Sequence, residues 1–241
     1  MSLLPPRWCT TKRIGIVGGL SPESTVLYYK TIVEEYRRRF GNESYPVIII
    51  YSVNFEAFTR AVEEGRDGDA KAILLEAIEA LARVGADFAL ISANTPHMYF
   101  DDLAKSSPIP LLSIIDALAE ELRKDGVKRV GLLGTKFTLT RGFYVEGLRR
   151  HGIEAIVPSP EDIDLVNNVI YQELVKGVVK ESSRRAVEGV IERLKQRGVQ
   201  GVALACTELP LLLTGEVAGL KLYDTARIHA VKALEHALER S

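Results

Sequence analysis

Residues 85–96 read GADFALISANTP, and residues 198–209 read GVQGVALACTEL. Each stretch opens on glycine, runs through a short apolar segment and then presents a small residue followed by Asn-Thr or Thr-Glu. A second pair stands upstream of these two, RIGIVGG at 13–19 and RVGLLGT at 129–135. The offsets are 113 and 116 residues, so the chain reads as two related halves in tandem. The apolar segments are nearly continuous, as strands buried on both faces of a parallel sheet must be.

Working outward, further strand-like runs fall at 47–53 (VIIIYSV), with minor ones at 109–112, 154–157 and 220–223. Between them lie amphipathic segments such as 70–84 and 182–197, whose apolar residues recur at three- and four-residue spacing. Strands alternating with helices along the whole length predict an α/β fold, each lobe a mostly parallel sheet flanked by helices.

Composition narrows the function classes. Of 241 residues, 46% are apolar and 26% charged, an ordinary globular balance. The 31 Lys and Arg against 32 Asp and Glu supply no basic field for nucleic acid or anionic membranes. No run approaches the ~20 apolar residues of a membrane span, and MSLLPPRWCT has no signal-peptide core. Two cysteines, Cys9 and Cys206, cannot build a disulfide framework, so a soluble cytoplasmic protein is expected. Three Gln and five Asn beside abundant Glu, Lys and Arg point to a thermophilic source, although a Lys/Glu-rich mesophile shares that balance.

In open α/β sheets ligands bind beyond the carboxyl ends of the strands. The residues there are Gly18-Gly19-Leu20-Ser21, Asn54, Ala93-Asn94-Thr95, Gly134-Thr135 and Cys206-Thr207-Glu208. This set is small, hydroxyl-rich and poor in charge, suited to holding a small polar ligand with amides and hydroxyls. Neither a dinucleotide fingerprint nor a phosphate-binding P-loop is present, so no nucleotide cofactor is expected. Gly18-Gly19 is most simply a tight turn, with Ser21 capping a helix that has Pro22 at its first position. Cys206 precedes Thr-Glu-Leu-Pro, a helix start; its thiol is then either lowered in pKa and reactive, or a buried inert core residue. His97 is either a proton carrier or the start of the helix containing Met98-Tyr99-Phe100. His151, His229 and His236 show no ligand spacing, and no metal site is expected.

Four segments together resemble the aspartate/glutamate racemase superfamily, and its aspartate racemase branch most. They are Gly18-Gly19-Leu20-Ser21-Pro22, Ala93-Asn94-Thr95-Pro96-His97, Cys206-Thr207-Glu208 and Asp224-Thr225. The resemblance runs from about residue 12 to the C-terminus. It implies two pseudo-symmetric α/β lobes with the active site in the cleft between them, in a homodimer. The first lobe would comprise 1–112 plus 212–241 and the second 113–211, the last helix returning to complete the first lobe. It also implies racemisation of a small amino acid or dicarboxylic acid with neither pyridoxal phosphate nor metal. One cysteine thiolate removes the α-proton and a second thiol, on the opposite face, returns one.

Here the first catalytic cysteine's position holds Ala93, which cannot move a proton. The internal repeat independently sets Ala93 opposite Cys206. An arginine expected after the second strand for the distal carboxylate falls on Phe58, with Arg60 two residues on. A lysine expected near IYQELVKG falls on Val175, with Lys176 adjacent. The leading expectation is a cofactor-independent racemase in which Cys206 is the acid/base residue and Asn94, Thr95 and Thr207 hold the carboxylate. Thr135, Asn54 and Lys176 complete the candidate binding set. The alternatives are a one-cysteine decarboxylase or isomerase of a malonate- or maleate-like acid, and a catalytically silent amino-acid-binding homologue.

Overall fold

The computed structural model describes residues 11–239. Cys9 therefore lies outside the described residues. The elements begin β1 (Ile14–Gly18), α1 (Pro22–Phe40), β2 (Ile48–Ser52), α2 (Phe55–Glu63), α3 (Asp67–Arg83) and β3 (Phe88–Ile91). A 3-10 turn at Thr95–Tyr99, α4 (Phe100–Ser106) and β4 (Leu111–Leu112) follow. Then come α5 (Ile114–Lys124), β5 (Arg129–Gly134), α6 (Lys136–Thr140), α7 (Phe143–Arg150), β6 (Glu154–Ile156) and α8 (Pro160–Gln172). A 3-10 turn at Leu174–Lys176 leads to α9 (Glu181–Gln196), β7 (Gly201–Ala205), α10 (Leu209–Leu212), β8 (Glu216–Val217), β9 (Leu220–Asp224) and α11 (Thr225–Leu238).

These elements form two sheets, ordered β2-β1-β3-β4 and β6-β5-β7-β9-β8. All pairings are parallel except β8 with β9. The α/β class with two parallel-dominated sheets is thus as the sequence leads one to expect. The fully buried β1, β3 and β7 are the near-continuous apolar runs, since a central strand has a helix layer on each face.

The chain divides into two compact units. One holds the described residues through Ser113 together with those from His229 onward; the other is Ile114–Ile228. The return expected at residue 212 therefore comes later, at 228/229. The physical reason is β9, which pairs with β7 from Gly201↔Lys221 to Leu204↔Asp224 and so belongs to the second sheet. Each half thus gives its last helix to the other unit: α5 follows β4 but lies in the second, and α11 follows β9 but lies mostly in the first.

Local chemistry starts and stops the helices. Ser21 caps α1 by accepting from the Ser24 amide, Pro22 takes the first turn, and Gly41 closes it in the left-handed conformation, φ 65°. Ser159-Pro160 repeats that start on α8. The buried face of α9 carries Val187, Val190, Ile191 and Leu194, packed with Val202 and Leu204 of β7. Each such side chain contributes about 1.5–3 kcal/mol when fully buried, so Leu194→Ala would open a costly hole.

The two sheets share more than strand order. In the first, Ile14 pairs with Phe88 and Val17 with Ile91. In the second, Val130 pairs with Gly201 and Leu133 with Leu204. These pairs are related by the same offsets of 116 and 113 read in the sequence. Ala93 and Cys206 consequently leave their sheets at equivalent positions, each two residues past an equivalent strand partner.

Candidate active site

In the first unit the turn after β1 is used internally. Gly19 has φ +80°, and a Cβ there would meet the Val53 carbonyl at 2.5 Å. Its amide donates to Thr25 Oγ1 at 2.9 Å, so it is engaged within the turn. Thr25 Oγ1 in turn donates to the Ser21 carbonyl at 3.0 Å. Ser24 Oγ donates to the Ser92 carbonyl, and Ser92 Oγ to the Val17 carbonyl at 3.1 Å. The carboxyl ends of β1 and β3 are sewn together by these buried hydroxyls.

The turn after β3 carries Ala93, Asn94 and Thr95, the first two buried. The ring of His97 reaches back so that Nδ1 donates to the Ala93 carbonyl at 2.8 Å, while its backbone amide donates to the Asn94 carbonyl at 3.1 Å. The helix expected to start at Pro96-His97 is a 3-10 turn, Thr95–Tyr99, which α4 continues from Phe100. Behind it, fully buried His229 donates from Nε2 to the Leu112 carbonyl at 3.1 Å and accepts at Nδ1 from the Tyr28 hydroxyl at 3.0 Å. Burial, then His97 beside it, holds the His229 pKa well below the ordinary histidine range, so the ring is neutral.

In the second unit the turn after β7 is different. Cys206 Sγ donates to Glu208 Oε2 at 3.0 Å, and Thr207 Oγ1 donates to the same oxygen at 2.9 Å. The expectation of a thiol lowered by a helix N-terminus is corrected here. The helix that follows, α10, is only Leu209–Leu212, and Cys206 is a core residue, 8% exposed, among Leu133, Leu204 and Leu209. Burial first, and the Glu208 carboxylate second, push the thiol well above its ordinary value.

The remaining candidates have local roles. Thr135 caps α6, accepting from the Thr138 amide at 3.2 Å with the Thr138 hydroxyl 3.0 Å away. Exposed Asn54 caps α2, accepting from the Ala57 amide at 2.9 Å. Exposed Lys176 lies in the second 3-10 turn, its Nζ 3.1 Å from Gln172 Oε1. Phe58 is buried in α2, and Arg60 pairs with Glu56 at 2.8 Å on the surface. Asp224, at the end of β9, accepts from the Arg227 amide at 3.0 Å, and burial raises its pKa.

Each unit thus brings its own part of the set together: Asn94 and Thr95 in the first, Cys206 and Thr207 in the second. Sequence reasoning assigned no role to Glu208, although a glutamate two residues from the only candidate thiol was the available signal. Among the described residues, no three His, Cys, Asp or Glu side chains are grouped to hold a metal ion. Nor is any helix among them long and apolar enough to cross a membrane.

Residues 17–233 match the family described as Asp/Glu/hydantoin racemase. The chain belongs to that family. It is similar to an aspartate racemase homologue from Pyrococcus horikoshii, with 42% identity and a TM-score of 0.86 over 95% of this chain and 100% of the other. An aspartate racemase of Picrophilus torridus matches at 25% identity and TM-score 0.70, over 95% of each chain. The broad specificity amino-acid racemase RacX of Bacillus subtilis is 29% identical over 147 residues, 59% of this chain and 63% of RacX. That match covers less than two thirds of RacX. Membership agrees with the four segments that carry the resemblance, which sit at the ends of β1, β3, β7 and β9.

Proposed function

We propose that this chain is an amino-acid racemase acting on aspartate, glutamate or a related small acid, with neither pyridoxal phosphate nor metal. In this reading Cys206 moves the α-proton. The supporting observation is the 3.0 Å Sγ–H···Oε2 contact between Cys206 and Glu208. A thiol whose pKa is raised by burial is a poor base if it must ionise alone. Transfer of its proton to Glu208 leaves the pair with one negative charge before and after, so burial opposes this step less than ionisation to bulk water.

The electron and proton count then closes. The Sγ–H proton passes to Glu208 Oε2, the thiolate takes the proton from the substrate's Cα to restore S–H, and the C–H electron pair left behind delocalises onto the α-carboxylate. Oriented donors at Asn94 and Thr95 stabilise that developing charge, and the Thr207 hydroxyl, whose proton is held by Glu208 Oε2 at rest, joins them by turning away once Glu208 is protonated. Thr135, Asn54 and Lys176 are the outer members of the binding set, and the Asn54 amide N–H groups are its donors because Oδ1 serves the α2 cap. Ala93 supplies no proton, so water must serve the far face and inversion lags behind exchange. The family membership also supports a homodimer, to be checked by light scattering.

The equivalence of Ala93 and Cys206 favours one second reading, a one-thiol decarboxylase or isomerase. After a malonate-like acid loses CO₂, the carbanion needs only one proton, which a single S–H provides. Proton NMR in D₂O, with L- and D-amino acids and substituted malonates, separates the readings. Loss of the α-proton signal with changing optical rotation supports the racemase. CO₂ release from a malonate supports the decarboxylase. Silence across the panel overturns both and leaves an amino-acid-binding homologue.

A further inference from the structure

We propose that His97 is a positioning residue: its Nδ1–H fixes the Ala93 carbonyl and thereby sets the aim of the Asn94 and Thr95 donors. The inference rests on the carboxylate-binding role given to Asn94 and Thr95 above. Ala93 lies past the last ladder pair of β3 with β1, Val17↔Ile91, so its carbonyl has no sheet partner within that pairing. A buried carbonyl without a partner costs on the order of 1–3 kcal/mol. The imidazole four residues ahead provides one, at 2.8 Å.

The ring itself is held from three sides. It stacks on Phe100 at 5.6 Å between centroids with 8° between planes, and meets the His229 edge at 5.6 Å and 73°. It is 3% exposed, so water does not compete for its bond. His229 is fixed in turn by Tyr28 of α1 and the Leu112 carbonyl of β4. The contacts that brace the cluster run to backbone carbonyls and to a tyrosine hydroxyl. His229 ends on a carbonyl at Nε2 and on a tyrosine hydroxyl at Nδ1, and His97 Nδ1 ends on a carbonyl.

The equivalent place in the second unit isolates the device. An offset of 113 from His97 leads to Pro210, which has no side-chain donor. There the Cys206 carbonyl accepts from the Leu209 amide at 3.3 Å instead. The first turn is therefore locked through a buried side chain, and the second through its own backbone.

Asparagine places its side-chain N–H close to where histidine places Nδ1–H, whereas glutamine reaches to the Nε2 position. His97→Asn should therefore retain the turn, and His97→Gln and His97→Leu should not. Two readouts apply to the full chain. The first is amide hydrogen exchange of a peptide covering residues 94–99, which needs no substrate. Protection should persist in the wild type and His97→Asn, and fall at least ~10-fold in His97→Gln and His97→Leu. The second is α-proton exchange from aspartate and glutamate in D₂O. KM should rise, and kcat/KM fall by on the order of 10²-fold, in the two variants lacking the donor, since a misaimed binding group costs about that much. Half-buried His151→Asn, which alters a pair with exposed Asp116 far along the sequence from the turn, is the control. Equal protection in all variants overturns the proposal, as does equal activity of His97→Asn and His97→Gln. If His97→Leu does not fold, the Asn–Gln pair decides alone. If the wild type exchanges no amino acid, the racemase reading fails while the amide protection still decides the role of His97.

Discussion

After β3 the chain runs Ser92-Ala93-Asn94-Thr95; after β7 it runs Ala205-Cys206-Thr207-Glu208. The two turns leave their sheets at the same register, and the backbone frame beneath them is repeated down to individual pairs. What differs is the wiring. In the first, buried hydroxyls and a histidine ring hold the backbone still around a residue with no reactive atom. In the second, the buried Cys206 sulfur and the Glu208 oxygen that accepts from it are the two ends of one hydrogen bond. Duplicated scaffolds can thus carry unequal wiring, and on the proposed reading unequal work, because side chains past a strand end are no longer fixed by the ladder.

The sharpest way to break that comparison is to remove the sulfur. Cys206→Ser keeps the size and the hydrogen bond to Glu208 but replaces the thiol with a far weaker acid. α-Proton exchange should fall by about 10³-fold, within the usual worth of a positioned acid–base group. A fall of less than ~10-fold would put proton transfer elsewhere. The converse change gives the first turn what it lacks. Ala93→Cys should raise the ratio of inversion to exchange by on the order of 10²-fold, read by chiral chromatography against deuterium uptake. Ala93→Ser controls for bulk. No gain in a folded Ala93→Cys variant would sink the idea of a two-faced site.

Glu208→Gln sharpens the account of the second turn because it predicts opposite signs in two assays. The carboxylate raises the thiol pKa, so removing its charge should lower that pKa and speed alkylation of Cys206 at pH 8. Turnover should nevertheless fall by about 10-fold, since the proton has lost its acceptor. Both rates moving the same way would contradict the paired-proton mechanism.

Much of this frame is legible in residues alone. The long apolar runs are legible because a strand covered on both faces must be apolar throughout, and β1, β3 and β7 fall inside the stretches 13–19, 85–96 and 198–209. The two-residue β8 leaves no such trace. The late return to the first unit depends on β9 pairing with β7, a long-range choice that local pattern does not encode. The same holds at the site. Cys206 before Thr-Glu-Leu-Pro looks like a thiol at a helix start, yet the helix is one turn long and burial decides the pKa. His97 is visible as a residue, but its bond back to the Ala93 carbonyl exists only once the turn is folded.

Each unit pairs a buried carboxylate with arginine, Glu35 in the first and Asp162, with Arg193, in the second. Glu35 on α1 pairs with Arg38 and Arg39 at 2.6 Å, and Arg39 continues to Glu235 on α11 at 3.0 Å. Arg38 and Arg39 hold the Glu35 carboxyl down at about 2, against an ordinary value of 4.5. A depressed carboxyl contributes stability that is present above its unfolded pKa and lost as pH falls toward the folded one. Glu35→Gln should therefore cost on the order of 2 kcal/mol at pH 7, after screening by solvent at exposed Arg38, and nearly nothing at pH 2. Urea titrations at the two pH values, with the same gap at both, would rule out the linkage.

The finest test asks whether the repeated frame is repeated in energy as well as in shape. Gly85 leads into β3 with φ +89°, and a Cβ there would lie 2.5 Å from Arg13 Nη1. Gly198 leads into β7 with φ +80°, and its Cβ would lie 2.7 Å from Arg129 Nη1. Arg13 pairs with Asp87 at 3.3 Å and Arg129 with Glu154 at 2.8 Å, all four side chains well exposed. Alanine at either glycine pays for a left-handed backbone, about 1 kcal/mol, and must push the end of a flexible guanidinium aside. The displaced surface pairs add little, since exposed ion pairs are worth only a few tenths of a kcal/mol in most cases. Gly85→Ala and Gly198→Ala should each lower stability by about 1 kcal/mol, and by the same amount within ~0.5 kcal/mol. Because the sites lie in different units, the double variant should show the sum if both units unfold together. A loss confined to one glycine would mean that the halves keep a common backbone shape while one has found another way to relieve it.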